Sequence, residues 1–395
     1  LYGLYIKDMP NNSNITIEYN TIVGGRRNID GTDNNTENSS YHGVYLTLSD
    51  NGDDRKYTVA IEDNVEISGI LNARNSSSTN FSEAYGIKIV DADSDVNANI
   101  DATVKDNTLI KGGETVSQQA YFNFYGIHNN SNLSEVSGND EITAGSMSVG
   151  CSDNNECSTS GIYNENFDVS IFSNIKISGA TAKSYTFANG IVIIGADAQI
   201  YNNTNIYGGS GTGGTTNKYT NFIGIYLDGS TISTNIYKNT IDGGDSTGTW
   251  AQMAGVYCKS SSPNIYRNNI YGGDAGNSNN NTFGVYQFSG SNSNIYNNII
   301  DGGNSSYGTT NSNGIYIDGS SPIIRNNTVY TTGAQTNTRS IYLTNASNPE
   351  IVNNILAINN TSGNNYVIVE AHADADPAVL SNNMLYSGNS TLYYD

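Results

Sequence analysis

Basic side chains are scarce in this chain of 395 residues: 17 Lys and Arg stand against 37 Asp and Glu, a formal net charge of −20. A polyphosphate partner needs a clustered basic surface to displace its counterions, so nucleic acid is excluded as a ligand class. Charge of either sign is thin, at 14% of residues where an ordinary globular domain has about 25%. No apolar run reaches the roughly 18 residues of a bilayer-spanning helix, so this segment holds no such span. Only three cysteines occur, and without CxxC or CxxCH spacing the zinc-ribbon and c-type haem readings fall away. No P-loop and no GxGxxG at a strand-to-helix turn is found. The sequence therefore calls for no metal and no cofactor.

Polar character comes instead from 62 Asn, 42 Gly, and many Ser and Thr. Such a composition hints at disorder, but 29 Tyr, 9 Phe and a steady supply of Ile and Val contradict it. The explanation is a repeat. "TNIYKNTIDGG" ends at Gly244, "PNIYRNNIYGG" at Gly273, "SNIYNNIIDGG" at Gly303 and "PIIRNNTVYTTG" at Gly333. In each, an aliphatic residue is followed three positions later by Asn. The rule runs through the whole chain: Ile17, Ile61, Val104, Val136, Ile171, Ile200, Ile236, Ile265, Ile295, Ile324, Ile351 and Leu380 precede Asn20, Asn64, Asn107, Asn139, Asn174, Asn203, Asn239, Asn268, Asn298, Asn327, Asn354 and Asn383. The eleven intervals average 33 residues. A second marker, Gly-aliphatic-Tyr, lies between these copies, as at Gly43, Gly161, Gly224, Gly255, Gly284 and Gly314.

Each repeat thus holds three short runs of period-2 alternation split by Asn, Gly, Ser and Pro, which means three strands. The expected fold is all-β: a right-handed parallel β-helix of about twelve rungs, with variable loops leaving one corner. Rungs roughly 4.8 Å apart make a rod on the order of 55 Å long. Ile225, Val256, Val285 and Ile315 should form one inward column. The twelve Asn are read as a structural ladder placed where the second strand bends into the third. Asn tolerates the left-handed backbone of a sharp bend, and its amide can bond the Asn above and below.

"SSPIIRNNTVYTTG" (Ser320 to Gly333) and "SSPNIYRNNIYGG" (Ser261 to Gly273) resemble the repeats of right-handed parallel β-helix proteins, the pectate-lyase-like superfamily with its copper-periplasmic-protein-like branch. The resemblance covers almost the entire chain. It implies the fold but leaves function open, because that superfamily holds lyases, glycoside hydrolases, tailspikes, adhesins and catalytically empty surface proteins.

The loops before the Gly-aliphatic marker run from Arg26 to His42, Ile70 to Tyr85, Glu114 to Tyr125 and Ser146 to Ser160, then shorten to Asp245 to Ala254, Asp274 to Phe283 and Asn304 to Asn313. They are expected to wall one side of the rod. The chain opens inside a repeat at Gly3 and closes inside another at Thr391, so residues 1–395 read as one solenoid belonging to a longer chain. Cys151 and Cys157 flank a five-residue loop, a spacing that suits a local disulfide, while Cys258 should be a buried free thiol. A disulfide fits an oxidising compartment, here the cell exterior or surface.

Two functions compete. Tyr226, Tyr257, Tyr286 and Tyr316 form an outward column on the first strand, and Tyr201, Tyr237, Tyr266 and Tyr296 another on the second. Such rings suit sugar faces, another surface protein or a second copy of the chain. The alternative is a carbohydrate-active enzyme, a polysaccharide lyase or glycoside hydrolase. Asp242 and Asp301 lie two rungs apart, so their carboxyls should be about 9 to 10 Å from each other, the upper edge for an inverting pair. Nothing in their polar Gly-Gly turn is expected to raise a pKa. A lyase base could come from Lys238 or Arg267, but a net charge of −20 repels a uronate polymer. His42-Gly43 matches a polygalacturonase pair without its accompanying aspartates. Ice binding would need flat Thr rows, and outward Thr is scattered. The favoured expectation is a structural or adhesive surface protein that binds glycan or self-assembles.

Overall fold

A computed structural model describes residues 1–7, 13–24, 39–48, 57–69, 81–91, 100–115, 121–147, 157–182, 186–212, 220–305, 310–333, 336–360, 362–388 and 391–395. Among them there is no helix, and so none long and apolar enough to cross a membrane. Strands stack into three parallel sheets. The first holds 13, from Tyr2–Lys7 to Thr391–Tyr394, and the second 12, from Ser13–Glu18 to Val379–Ser381. The third runs from Thr21–Val23 to Met384–Ser387. One rung consists of Ala251–Lys259, Asn264–Tyr266 and Asn269–Tyr271, each paired in register with its counterpart one repeat on.

Alternation decides which side chains enter the rod. Ile225, Val256, Val285 and Ile315 pair successively and are fully buried. Ile236, Ile265 and Ile295 do the same from the second sheet, and Ile241, Ile270 and Ile300 from the third. Each such side chain contributes about 1.5 to 3 kcal/mol on burial, so stacked columns suffice for a core only one or two side chains wide per sheet, the first sheet adding a second column with Leu227, Cys258 and Ile317.

The shorter loops prove to be partly strand. Asp245–Ser246, Asp274–Ala275 and Asn304–Ser305 pair in parallel as a fourth short ladder. The first-sheet strands also begin several residues before their marker Gly, as in Ala251–Lys259 around Gly255. Between these two extensions lies a second small core of Ala188, Phe222, Ala251, Met253 and Ala275. The periodicity of the three main strands says nothing about this layer, because its residues sit within Ser- and Gly-rich stretches. The four longer loops lie mostly outside the described residues.

The bend between the second and third strands corrects another expectation. The left-handed residue is the one before each ladder Asn: Tyr19, Asp63, Asp106, Gly138, Ser173, Asn202, Lys238, Arg267, Asn297, Asn326, Asn353 and Asn382, with φ between 53° and 65°. The turn itself demands that conformation, which frees the next side chain to point inward. There the Asn Nδ2 groups donate to the next Oδ1 without a break from Asn64 to Asn383, at 2.9–3.1 Å. Each Oδ1 also accepts the backbone N–H of the Asn one rung earlier, as Asn268 does from Asn239 at 3.0 Å. Buried amides are thereby satisfied within the turn. Cys258 is a fully buried free thiol, with its pKa pushed up to about 12 by burial. Cys157 is buried and disulfide-bonded, and Cys151 lies outside the described residues.

Candidate functional site

The marker glycines shape the outer face of the first sheet. A Cβ on Gly224 would come within 2.6 Å of both the Gly255 carbonyl oxygen and Ile241 Cγ2, so only Gly fits between stacked rungs. The strand pairing skips these glycines: Ile223 pairs with Ala254 and Ile225 with Val256, leaving Gly224 out. In a straight strand, residues three apart face opposite sides. Here the chain bends at Gly, and the residue before it joins the Tyr two after it on one outer face. The rings of Phe283 and Tyr286 are accordingly 4.9 Å apart.

The result is a trough along the rod. Its floor is the column Ile223, Ala254, Phe283, Asn313 and Arg339. One wall is the Tyr column that includes Tyr226, Tyr257, Tyr286 and Tyr316 and continues to Tyr342. The other is Gln252, Asn281, Asn311 and Asn337, in register three residues before each marker position. Asn311 donates to Asn281 Oδ1 at 2.8 Å and Asn337 to Asn311 Oδ1 at 2.7 Å. Two open cavities lie in the trough, of about 140 Å³ over Ala254 and about 410 Å³ over Asn313.

The Tyr rings are half-buried rather than freely outward. Tyr226 and Tyr257 stack at 5.3 Å, but where Phe283 inserts, Tyr257, Tyr286 and Tyr316 meet edge to face at 4.7 and 4.8 Å. Burial raises the phenol pKa of all four, to about 12 for Tyr257 and Tyr316, so they remain uncharged donors and acceptors. Toward the N-terminus the same two columns are filled with rings. His42 is buried, stacked 5.0 Å from both Tyr45 and Tyr85, and held neutral by desolvation. It has no open face for chemistry.

The second-sheet column is different. Tyr201, Tyr237, Tyr266 and Tyr296 stack in parallel at 4.9–5.0 Å with planes within 4° of each other, a flat half-buried ribbon. Lys238 and Arg267 are exposed at the neighbouring bend, in its left-handed position.

On the third sheet, Tyr207, Asp242, Tyr271, Asp301 and Tyr330 alternate in one column. Asp242 Oδ1 accepts the Gly244 N–H at 2.8 Å, and Asp301 Oδ1 the Gly303 N–H at 3.0 Å. The expectation of ordinary carboxyls here is overturned. Burial pushes Asp242 up to about 7, with the Asp245 and Asp274 charges adding to it, and Asp301 up to about 6. The cause is desolvation in a turn that looks wholly polar in sequence, only partly offset by the Gly244 and Gly303 N–H bonds. Tyr271 donates to Asp274 and Tyr207 to Asp245. Among the described residues no group of three or more His, Cys, Asp or Glu side chains is placed to hold a metal ion.

Sequence reasoning singled out the Tyr columns and the two aspartates but missed the amide wall, Phe283 and Arg339. For the amide wall a signal was available at a fixed offset, three residues before each marker position, where Gln252, Asn281, Asn311 and Asn337 recur. Among 62 Asn, it does not stand out.

Three stacked parallel sheets around a narrow core make the chain a parallel β-helix. Two solved structures are similar to it. The Dettilon tailspike protein (gp208) is 14% identical, over 89% of this chain and 62% of that one, with a TM-score of 0.40. The A-module of the Azotobacter vinelandii mannuronan C-5 epimerase AlgE6 is 14% identical, over 91% and 88%, with a TM-score of 0.24. The chain spans about three fifths of the tailspike's length. No family model and no curated protein matches it.

Proposed function

We propose that the chain is an extracellular or cell-surface β-helix that binds carbohydrate along the first-sheet trough, in an adhesive or structural role. The observation that carries this reading is the facing of a ring wall and an amide wall across open cavities on a rigid scaffold. A sugar presents apolar C–H faces and a rim of hydroxyls. Tyr and Phe rings offer area for the former at little entropic cost, and Asn and Gln amides offer both donors and acceptors to the latter. Preformed walls keep the ordering cost of binding low.

A glycan array identifies the ligand class, and variants then locate the contact. Tyr257→Ala with Tyr286→Ala should weaken binding about tenfold or more, since each ring contact contributes about 0.5 to 1.5 kcal/mol beyond its area. Tyr237→Ala with Tyr266→Ala should leave it nearly unchanged. The opposite pattern would move the contact to the flat ribbon and favour a protein partner or self-association.

One observation favours an enzymatic second reading: burial raises the carboxyl pKa of both Asp242 and Asp301, as a general acid requires. Their two-rung separation, about 9 to 10 Å, fits an inverting glycosidase, although Tyr271 stands between them. Glycan cleavage that falls by orders of magnitude in the Asp242→Asn, Asp301→Asn variant would establish this reading in place of the first.

A further inference from the structure

Among the described residues Arg339 differs from Lys238 and Arg267, which are exposed, in being largely buried. Six Lys and Arg side chains form ion pairs with Asp or Glu among the described residues, and Arg339 is not one of them. Its side chain lines the larger cavity of the trough. Nη1 donates to Asn313 Oδ1 at 3.2 Å, and the guanidinium lies 4.3 Å over the Tyr342 ring. Nε is buried and has no hydrogen-bond partner. A largely buried cation without a counter-ion is costly, and a ring face offsets only part of that cost. An oxyanion entering the cavity that the Arg339 side chain lines would supply the counter-charge that the guanidinium lacks.

We propose that the Arg339 end of the trough is a subsite for a negatively charged substituent on a sugar, a uronate carboxylate or a sulfate ester. The inference rests on the reading of the trough as a glycan site and names the class of glycan. A guanidinium is the side chain whose planar N–H groups suit the oxygens of a carboxylate or sulfate, and Arg339 is the cation that lines this cavity. Asn311 and Asn337 supply neutral amides along the same cavity, and Tyr316 and Tyr342 border it. The net charge of −20 does not forbid this: the Debye length is about 8 Å at physiological salt, so distant acids are screened while the guanidinium acts at contact. It does restrict the ligand to isolated acidic sugars in a largely neutral chain, because a polyanion would meet the whole acidic surface.

The test uses isothermal titration with three versions of one β-1,4-linked glucose tetrasaccharide: neutral, carrying one glucuronate, and carrying one 6-O-sulfate. The parent should bind at least one acidic form about tenfold or more tightly than the neutral form, and the preferred form identifies the substituent. Arg339→Gln should abolish that preference, bringing the acidic and neutral forms to within about twofold of each other whatever their common affinity, and Arg339→Lys should restore part of it. Asn337→Asp, which puts a carboxylate on the same cavity, should also abolish it and serves if Arg339→Gln fails to fold. A preference that survives Arg339→Gln, or neutral binding with no preference in the parent, would overturn the subsite alone. Failure to bind any of the three would overturn the glycan reading of the trough and the subsite with it.

Discussion

Replacing Asn268 with Ala in a middle rung tests how the bends are held. Its side chain makes five hydrogen bonds: Nδ2 donates to Ile236 O, Tyr266 O and Asn298 Oδ1, while Oδ1 accepts from Asn239 N and Nδ2. The loss is smaller than five bonds suggest. Asn239 Nδ2 keeps Ile200 O and Tyr237 O, and Asn298 Oδ1 keeps the Asn268 backbone N–H. The Asn239 N–H alone is stripped of its side-chain acceptor. One stranded buried donor costs about 1 to 3 kcal/mol, and the weakened remainder brings the expected loss to about 2 to 4 kcal/mol. Asn269, next in sequence, is exposed, so Asn269→Ala should stay within about 0.5 kcal/mol. Thermal and urea midpoints compare the two variants. Hydrogen exchange at the Asn239 amide localises the effect, because a solenoid can open rung by rung. Equal shifts in both variants, or an Asn239 amide still protected in Asn268→Ala, would refute the reasoning.

Two further outcomes are expected. Lys238 holds a left-handed backbone, φ 56°, in the turn before Asn239; Lys238→Asn should raise the urea midpoint by up to about 1 kcal/mol equivalent and Lys238→Val lower it by about 1 to 2, and matching midpoints would disprove strain at this bend. Asp242, with its pKa pushed up to about 7 in the fold, holds a proton that the unfolded chain gives up near pH 4, so native stability should fall as pH rises from about 4 to 7 and then level. Asp242→Asn should remove about 1 to 3 kcal/mol of that fall, and urea midpoints at pH 4.5 and 8 that change alike in parent and variant would count against it.

Legibility in sequence followed the strength of the repeat. Columns such as Ile225 to Ile315 and the fixed Asn register were readable because burial admits only aliphatics at those sites and few residue types suit the bend. The left-handed position was misplaced by one residue. Tyr19, Ser173, Lys238 and Arg267 occupy it as well as Asn, so the turn imposes the conformation without imposing a residue. The trough was half legible: the Tyr wall repeats, whereas Ala254, Phe283, Asn313 and Arg339 share a column but no chemistry. The raised carboxyls could not be seen at all, since the burial of Asp242 arises only when rungs a repeat apart, such as that of Tyr271, stack on it.

The amide column also gives the rod a direction. From Asn64 to Asn354 each ladder Asn gives its backbone N–H and an Nδ2 N–H to the Oδ1 of the rung after it, while its Oδ1 accepts from the rung before; Nδ2 also reaches back to a main-chain carbonyl, but the Oδ1 acceptors all face one way along the axis. Reversing one segment against another would set donor against donor at the ladder and leave both buried. The helix can therefore be spliced or extended only head to tail, and any cap must be chemically opposite at its two ends: acceptors beyond the last rung, donors before the first.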